Sequence, residues 1–201
     1  MSKLPLEIGV AARPMAGRPE SGDRFVLCPF EGGVLVGVLD GLGTGPGACD
    51  AARIASSTLM EHTGDSLASL FVRCHERLRS ARGVVMSLAC FRSADNNMTW
   101  AGVGDVDGIL IRGRANGGSP REYLLLKPGV VGAHFPALEA AVLPVGPGDT
   151  LLFLTDGIRK DVLDAVRPGL SSQGIANRIL RNHGKGTDDA LVMVARYRGL
   201  T

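Results

Sequence analysis

A glycine-rich segment that follows an apolar run, residues 34–47, constrains the fold more than any other part of this chain. Its first six residues, Val34 to Leu39, are all apolar or glycine, as is typical of a strand buried on both faces. Asp40 follows directly, and four glycines stand among the next seven residues. Glycine lets a backbone turn sharply and approach a ligand closely. Asp40 is therefore predicted to end a buried strand, either as a turn residue or as a metal ligand.

Length, charge and cysteine usage limit the class of protein. With 201 residues, 45% of them hydrophobic, the chain is long enough for a substantial core, and we expect one domain over residues 1–201. A net charge of +2 indicates neither nucleic acid nor a membrane surface as a partner. The four cysteines form no CxxC pair, which favours buried free thiols over a zinc site. Their usage, with no signal segment or membrane-spanning run, predicts a cytoplasmic protein.

Hydrophobic periodicity divides the chain into helices and strands. Four helices are expected, at residues 46–62, 65–83, 159–166 and 171–184. Asp65 or Ser66 is expected to cap the second helix, which Gly83 would end, and Ser171 or Ser172 is expected to cap the fourth. About ten strands are expected, at residues 6–13, 24–30, 34–39, 84–91, 98–103, 108–112, 123–126, 140–145, 150–155 and 190–197. The Gly/Ser/Pro-rich residues 114–121 are expected to form a mobile surface loop.

The order of these elements predicts an α+β fold. Short joins between consecutive strands imply antiparallel pairing, because parallel strands need a long crossover. A regular alternation of strand and helix is thereby excluded. The economical arrangement is a four-layer α-β-β-α sandwich, in which helices flank two packed antiparallel sheets.

Three aspartates lie at the ends of the most apolar predicted strands: Asp40, Asp156 and Asp188. If those ends meet, three carboxylates converge and raise one another's pKa unless a cation compensates their charge. Oxygen ligands suit Mg²⁺ or Mn²⁺, and no histidine stands beside any of the three to favour zinc. Asp-Gly is also the commonest turn dipeptide, so the residues alone leave a metal site and ordinary turns as alternatives.

Five short motifs, in order, resemble those of the PP2C-type (PPM) metal-dependent serine/threonine phosphatases. They are residues 21–24 (SGDR), 40–45 (DGLGTG), 102–108 (GVGDVDG), 155–157 (TDG) and 187–190 (TDDA). The likeness is greatest to the small bacterial branch that includes SpoIIE and the stressosome feedback phosphatases. It extends from residue 21 to the last strand.

The resemblance implies two Mn²⁺ or Mg²⁺ ions at one edge of the sandwich. Asp40 would bridge both ions, the Gly41 carbonyl would bind one of them, and Asp156 and Asp188 would complete the protein ligands. A metal-bridging water would attack phosphorus with no covalent phosphoenzyme. Three further positions are expected next to the ligands: Asp23, Thr44 and Asp189.

The chain departs from the family pattern at two points. Thr44 stands where relatives usually have histidine, and no arginine is a secure counterpart of the one that contacts phosphate in larger relatives; Arg13, Arg18 and Arg24 are candidates. The chain also lacks room for a large flap, which suits a protein substrate.

Three functions are compatible with these features. The first is a phosphatase of phosphorylated STAS-domain proteins of a stressosome. The second is a sporulation-type phosphatase of an anti-anti-sigma factor. The third is a catalytically silent binding module, which Thr44 favours and the three carboxylates oppose.

Overall fold

The computed structural model describes residues 5–92, 94–113 and 121–199. Within these ranges lie ten strands: β1 (Leu6–Arg13), β2 (Asp23–Phe30), β3 (Gly33–Gly41), β4 (Val84–Arg92), β5 (Asn97–Val103), β6 (Asp107–Ile111), β7 (Arg121–Tyr123), β8 (Ala141–Pro144), β9 (Thr150–Leu154) and β10 (Ala190–Tyr197). The helices of the same ranges are α1 (Pro46–Glu61), α2 (Leu67–Arg77) and α3 (Ser172–His183), with one 3-10 turn, Val162–Ala165. No helix in these ranges has the length and apolarity needed to cross a bilayer.

The strands form two antiparallel five-stranded sheets that pack face to face. Sheet A has the order β1-β10-β9-β6-β7, and sheet B the order β2-β3-β4-β5-β8. Helices α1 and α2 cover the outer face of sheet B, while α3 and the 3-10 turn cover sheet A. The predicted α+β four-layer sandwich is confirmed.

Strand β3 shows why an unbroken apolar run precedes Asp40. Val34, Val36 and Val38 point into the core between the two sheets. Leu35 and Leu39, on the opposite face, pack under α1 and α2. Because successive side chains of a strand alternate between faces, burial of both faces requires apolar residues throughout.

Two helices begin at one of the two cap residues predicted for each. The Ser66 hydroxyl accepts the Ser69 amide at the start of α2, and the Ser171 hydroxyl accepts the Gly174 amide at the start of α3. The predicted end of the second helix at Gly83 is wrong, since α2 ends at Arg77. Gly83 instead has a φ of 86° and lies against Val131, where a Cβ atom would stand 2.8 Å from the Val131 carbonyl.

Two other element predictions need correction. The strand expected at 123–126 is Arg121–Tyr123, which pairs with β6. The apolar residues after it cross between the sheets instead: the Leu124 amide donates to Gly108 of sheet A, and the Lys127 amide to Gly102 of sheet B.

The helix expected over 159–166 is only the 3-10 turn Val162–Ala165. The residues just before this turn are held by the end of α3, because the Arg159 amide donates to the His183 carbonyl and Ile158 forms a β-bridge with Gly184. The expected loop at 114–121 lies outside the described residues except for Arg121.

All four cysteines, Cys28, Cys49, Cys74 and Cys90, are free and buried. The prediction of buried free thiols is confirmed.

Candidate active site

Strand ends from both sheets bring carboxylates together at one end of the sandwich. Sheet B contributes Asp40 near the end of β3, and Asp23 directly opposite it at the start of β2. Sheet A contributes Asp156, two residues after β9, and Asp188, two residues before β10. Because β9 and β10 are adjacent and antiparallel, the end of one strand lies beside the start of the other.

The pKa of Asp40 records this convergence. Burial is the main cause of the raised pKa, and the negative charges of neighbouring carboxylates raise the pKa further, to about 8. The contributing carboxylates are Asp23, Asp156, Asp105 and Asp188. A carboxyl group in this setting keeps its proton near neutral pH unless a cation compensates its charge.

Asp23 is the most buried carboxylate of this cluster. Only 7% of the surface of this residue is exposed, and burial raises the pKa of its carboxyl group to about 7. The Thr155 hydroxyl donates to Asp23 Oδ2 at 2.9 Å, and this hydrogen bond lowers the pKa against the effect of burial. Thr155 is itself oriented by the Leu191 amide, which donates to the hydroxyl oxygen at 2.9 Å. The other oxygen, Asp23 Oδ1, is buried without a hydrogen-bond partner. A buried carboxylate oxygen without a partner is costly, so this atom marks a place for a compensating group.

Two glycines allow the carboxylate-bearing segments to approach each other. A Cβ atom on Gly41 would lie 2.1 Å from the Ala48 carbonyl oxygen, so only glycine lets β3 end against α1. A Cβ atom on Gly157 would lie 1.8 Å from the Asp189 carbonyl oxygen. The Asp156-Gly157 turn therefore rests directly on the backbone that carries Asp188 and Asp189.

Asp189 ties the loop between β1 and β2 to this region. Its Oδ1 accepts the Met15 amide and its Oδ2 accepts the Gly22 amide, both at 2.7 Å. Both oxygens are thus engaged by backbone groups, and the tether fixes the segment that leads into Asp23. Asp188 Oδ1 accepts the Asp189 amide at 2.8 Å.

Thr44 lies between two guanidinium groups on the glycine-rich loop. Arg18 Nη2 donates to the Thr44 hydroxyl at 3.3 Å, and Arg82 Nη1 donates to the Thr44 carbonyl at 3.2 Å. Of the three candidate arginines, Arg18 reaches this loop. Arg13 instead lies over Gly184, and Arg24 lies in a groove beside α1.

Sequence reasoning overlooked three residues of this region. Asp105 raises the pKa of Asp40 and Asp156, and it could have been noticed because it comes shortly after the apolar strand β5, as Asp40 comes directly after the apolar run Val34 to Leu39. Lys185 Nζ donates to the Asp156 carbonyl at 2.5 Å, and its charge lowers the pKa of the Asp156 carboxyl against the raising effect of burial. The role of Thr155 in orienting Asp23 had no signal beyond its place in the TDG motif.

The carboxylates share one region without forming a closed cage. Within residues 5–92, 94–113 and 121–199, no three Asp, Glu, His or Cys side chains are arranged closely enough to be a ready metal site. The ligand roles of Asp40, Gly41, Asp156 and Asp188 stay a prediction.

Comparison with known proteins identifies the family of this chain. The family model for Stage II sporulation protein E (SpoIIE) matches residues 31–198, which is most of the chain. The chain belongs to the SpoIIE family. The predicted resemblance to PP2C-type phosphatases of this branch is confirmed, and the protein is a phosphatase of the PP2C family.

Three relatives of this SpoIIE-family chain are informative. Phosphoserine phosphatase RsbX of Bacillus subtilis (strain 168) is 23% identical over 167 residues, which cover 81% of this chain and 80% of RsbX. A second relative is a chain from the structure titled "The bacterial stressosome: a modular system that has been adapted to control secondary messenger signaling". It is 28% identical to this chain and superimposes with a TM-score of 0.87, over 95% of this chain and 99% of the other. The crystal structure of RsbX in complex with magnesium has a TM-score of 0.84 at 20% identity, over 95% of this chain and 94% of RsbX. The similarity to RsbX agrees with the predicted likeness to the small bacterial branch of these phosphatases.

Proposed function

We propose that this protein is a divalent-metal-dependent phosphoserine/phosphothreonine protein phosphatase, with residues 1–201 as one phosphatase domain. The observation that supports it most is the convergence of Asp23, Asp40, Asp156 and Asp188 at one end of the sandwich, with one oxygen of Asp23 buried and unpartnered. A structural turn needs no such cluster, whereas a site for a multiply charged cation does.

The donor set fits Mn²⁺ or Mg²⁺. It consists of oxygen atoms, which these hard cations prefer, and the raised pKa values of Asp23 and Asp40 fall once a cation replaces the protons. Asp40, the Gly41 carbonyl, Asp156 and Asp188 would hold two such ions. When bound, the ions would supply Lewis-acid chemistry to the phosphoryl group and make water more acidic.

The residues around the carboxylates would orient the reaction. Thr155 fixes one oxygen of Asp23, and Asp189 anchors the loop that leads to Asp23. The Arg18 guanidinium, held beside the Thr44 hydroxyl, would bind phosphate oxygens of the substrate and orient phosphorus towards the carboxylates. Arg82 would keep the glycine-rich loop in place by its bond to the Thr44 carbonyl.

The proposed substrates are phosphorylated STAS-domain proteins of a stressosome. Support comes from the likeness to RsbX, a phosphoserine phosphatase, and to a chain solved in a study of the bacterial stressosome. A net charge of +2 supports neither nucleic acid nor a membrane as a partner. The four free buried thiols support a reducing compartment, the cytoplasm.

Dephosphorylation kinetics test the substrate proposal. Phosphate release in Mn²⁺ is measured from a phosphorylated STAS-domain stressosome protein and from a phosphorylated anti-anti-sigma factor. We expect kcat/KM for the stressosome protein to be higher by at least about tenfold, which corresponds to 1.4 kcal/mol. The reverse preference would assign the sporulation-type function instead. If the protein hydrolyses neither phosphoprotein and does not hydrolyse p-nitrophenyl phosphate, the result would favour a catalytically silent binding module, the alternative to which Thr44 points.

A further inference from the structure

A groove lies beside the carboxylate cluster, where the edges of the two sheets meet helix α1. Its volume is about 480 Å³, within the range of about 300–1,000 Å³ that is typical of ligand sites. Both β1 and β2 are edge strands of their sheets, so this side of the sandwich is not covered by a further strand. The groove is lined by Ala12, Asp23, Arg24, Phe25, Met60 and Leu191, among others.

Exposed apolar side chains form part of this groove. Phe25 on β2 is 45% exposed and Met60 on α1 is 55% exposed, and both line the groove together with the buried Leu191. Two large apolar side chains that face water around one concave surface mark a binding site more than isolated exposed residues do. Methionine adapts its shape to different partners because its side chain is flexible and polarisable.

The groove borders the proposed catalytic centre at Asp23. Asp23 lines the groove and also belongs to the carboxylate cluster. An extended peptide advances about 3.3–3.6 Å per residue, so a peptide with its phosphoserine at the cluster would have its next few residues in this groove.

The charges at the groove favour a polypeptide as its occupant. Arg24 and Glu20 line it, one charge of each sign, and neither forms an ion pair within the described part of the chain. A groove that binds a polyanion or an acidic membrane surface would be lined by basic residues throughout. A mixed pair of charges around an apolar centre is the usual composition of a site for a protein segment.

We propose that this groove binds the residues that flank the phosphorylated residue of the protein substrate, and that Phe25 and Met60 select an apolar side chain there. This inference rests on the proposed phosphatase function, to which it adds a recognition surface. The groove contributes to the binding of a protein substrate and makes no contribution to the hydrolysis of a small phosphate ester.

Two synthetic phosphoserine peptides test the selection. They have the same length, and they carry either leucine or serine two residues before and two residues after the phosphoserine. We expect the wild-type kcat/KM for the leucine peptide to exceed that for the serine peptide by about tenfold, because a buried leucine gains more free energy than that ratio requires. In the double variant Phe25→Ser/Met60→Ser, the ratio should fall to about one, and the rate with p-nitrophenyl phosphate should stay at the wild-type value.

A matched control separates the groove from exposed apolar residues in general. Val72 on α2 and Val142 on β8 are similarly exposed and do not line the groove. The double variant Val72→Ser/Val142→Ser should keep the wild-type peptide ratio. A further variant, Met60→Glu, places a negative charge in the groove and should raise kcat/KM for a lysine-flanked peptide relative to the leucine peptide.

The outcomes distinguish this inference from the proposed function. Metal-dependent turnover with equal rates for both peptides in the wild type, or an unchanged peptide ratio in Phe25→Ser/Met60→Ser, would overturn the inference and leave the phosphatase function standing. If the wild type is a dimer, and Phe25→Ser/Met60→Ser dissociates it while the peptide ratio stays unchanged, the groove binds a second copy of the chain. That result would also overturn the inference. No turnover of any substrate would overturn the proposed function, and the inference with it.

Discussion

Asp23 and Asp40 lie directly opposite each other on adjacent antiparallel strands, where β2 begins and β3 ends. Both carboxyl groups have raised pKa values, about 7 for Asp23 and about 8 for Asp40, and burial is the largest cause for each. A negative charge on Asp23 raises the pKa of Asp40 further, so the two carboxyl groups titrate as a coupled pair. The pair therefore binds either protons or a cation at neutral pH.

The first prediction concerns the stability of the metal-free protein. In the unfolded chain both aspartates lose their protons near pH 4, whereas in the folded protein they keep them up to about pH 7 and pH 8. Since the folded state binds more protons within this window, the free energy of unfolding falls as pH rises from about 4 to about 8. The slope is about 1.4 kcal/mol per pH unit for each such group at most. Thermal unfolding in EDTA from pH 5.5 to pH 8.5 measures it.

Substitution of Asp23 isolates this effect from other titrating groups. Asp23→Asn keeps an acceptor for the Thr155 hydroxyl and removes the charge, so it should raise Tm in EDTA at pH 8 and flatten the pH dependence. Asp50→Asn, at an exposed site on α1, is the matched control and should leave the slope unchanged. A wild-type Tm that rises with pH in EDTA, or an Asp23→Asn variant with the wild-type slope, would contradict the assigned origin of the pKa shifts.

The second prediction concerns the hydroxyl of Thr155. Thr155→Val has a similar shape but leaves both oxygens of Asp23 without a partner and removes the acceptor of the Leu191 amide. We expect a loss of about 1–3 kcal/mol in the free energy of unfolding, measured by urea titration at pH 7.5 in EDTA. Thr155→Ser keeps the hydroxyl and should lose less. A larger loss in Thr155→Ser than in Thr155→Val would show that the methyl group contributes more to stability than the hydroxyl, and would contradict this prediction.

The third prediction concerns the close approach at Gly157. Gly157→Ala places a Cβ atom 1.8 Å from the Asp189 carbonyl, so the turn that carries Asp156 must move away from Asp188 and Asp189. We expect the free energy of unfolding to fall by about 1–3 kcal/mol and turnover of p-nitrophenyl phosphate to fall with it. Gly64→Ala, where no atom lies within 4 Å, should change stability by less than about 0.5 kcal/mol. Wild-type stability and turnover in Gly157→Ala would refute the role assigned to this contact.

Local sequence patterns were enough to predict most of this fold. The run from Val34 to Leu39 is buried on both faces, and Ser66 and Ser171, each one of two predicted cap residues, start α2 and α3. Such features depend on neighbouring residues along the chain, so periodicity reveals them.

Contacts between distant segments escaped prediction. Ile158 and Arg159 are drawn to the end of α3, so the residues after them form a 3-10 turn where local propensity favours a longer helix. The double tether of Asp189 to the Met15 and Gly22 amides joins segments more than 160 residues apart, and no periodicity encodes it. For the same reason the sequence predicted that Asp40, Asp156 and Asp188 each end or begin a core strand but left open whether they meet.

The most direct measurement of the central claim is phosphate release from p-nitrophenyl phosphate across a Mn²⁺ titration, for the wild type, Asp40→Asn and the control Asp50→Asn. We predict turnover that saturates with Mn²⁺ in the wild type and the control, and a decrease of at least about hundredfold in Asp40→Asn with an unchanged circular dichroism spectrum. Turnover that does not depend on the metal, or wild-type turnover in Asp40→Asn, would contradict the assignment of this carboxylate cluster as the phosphatase centre.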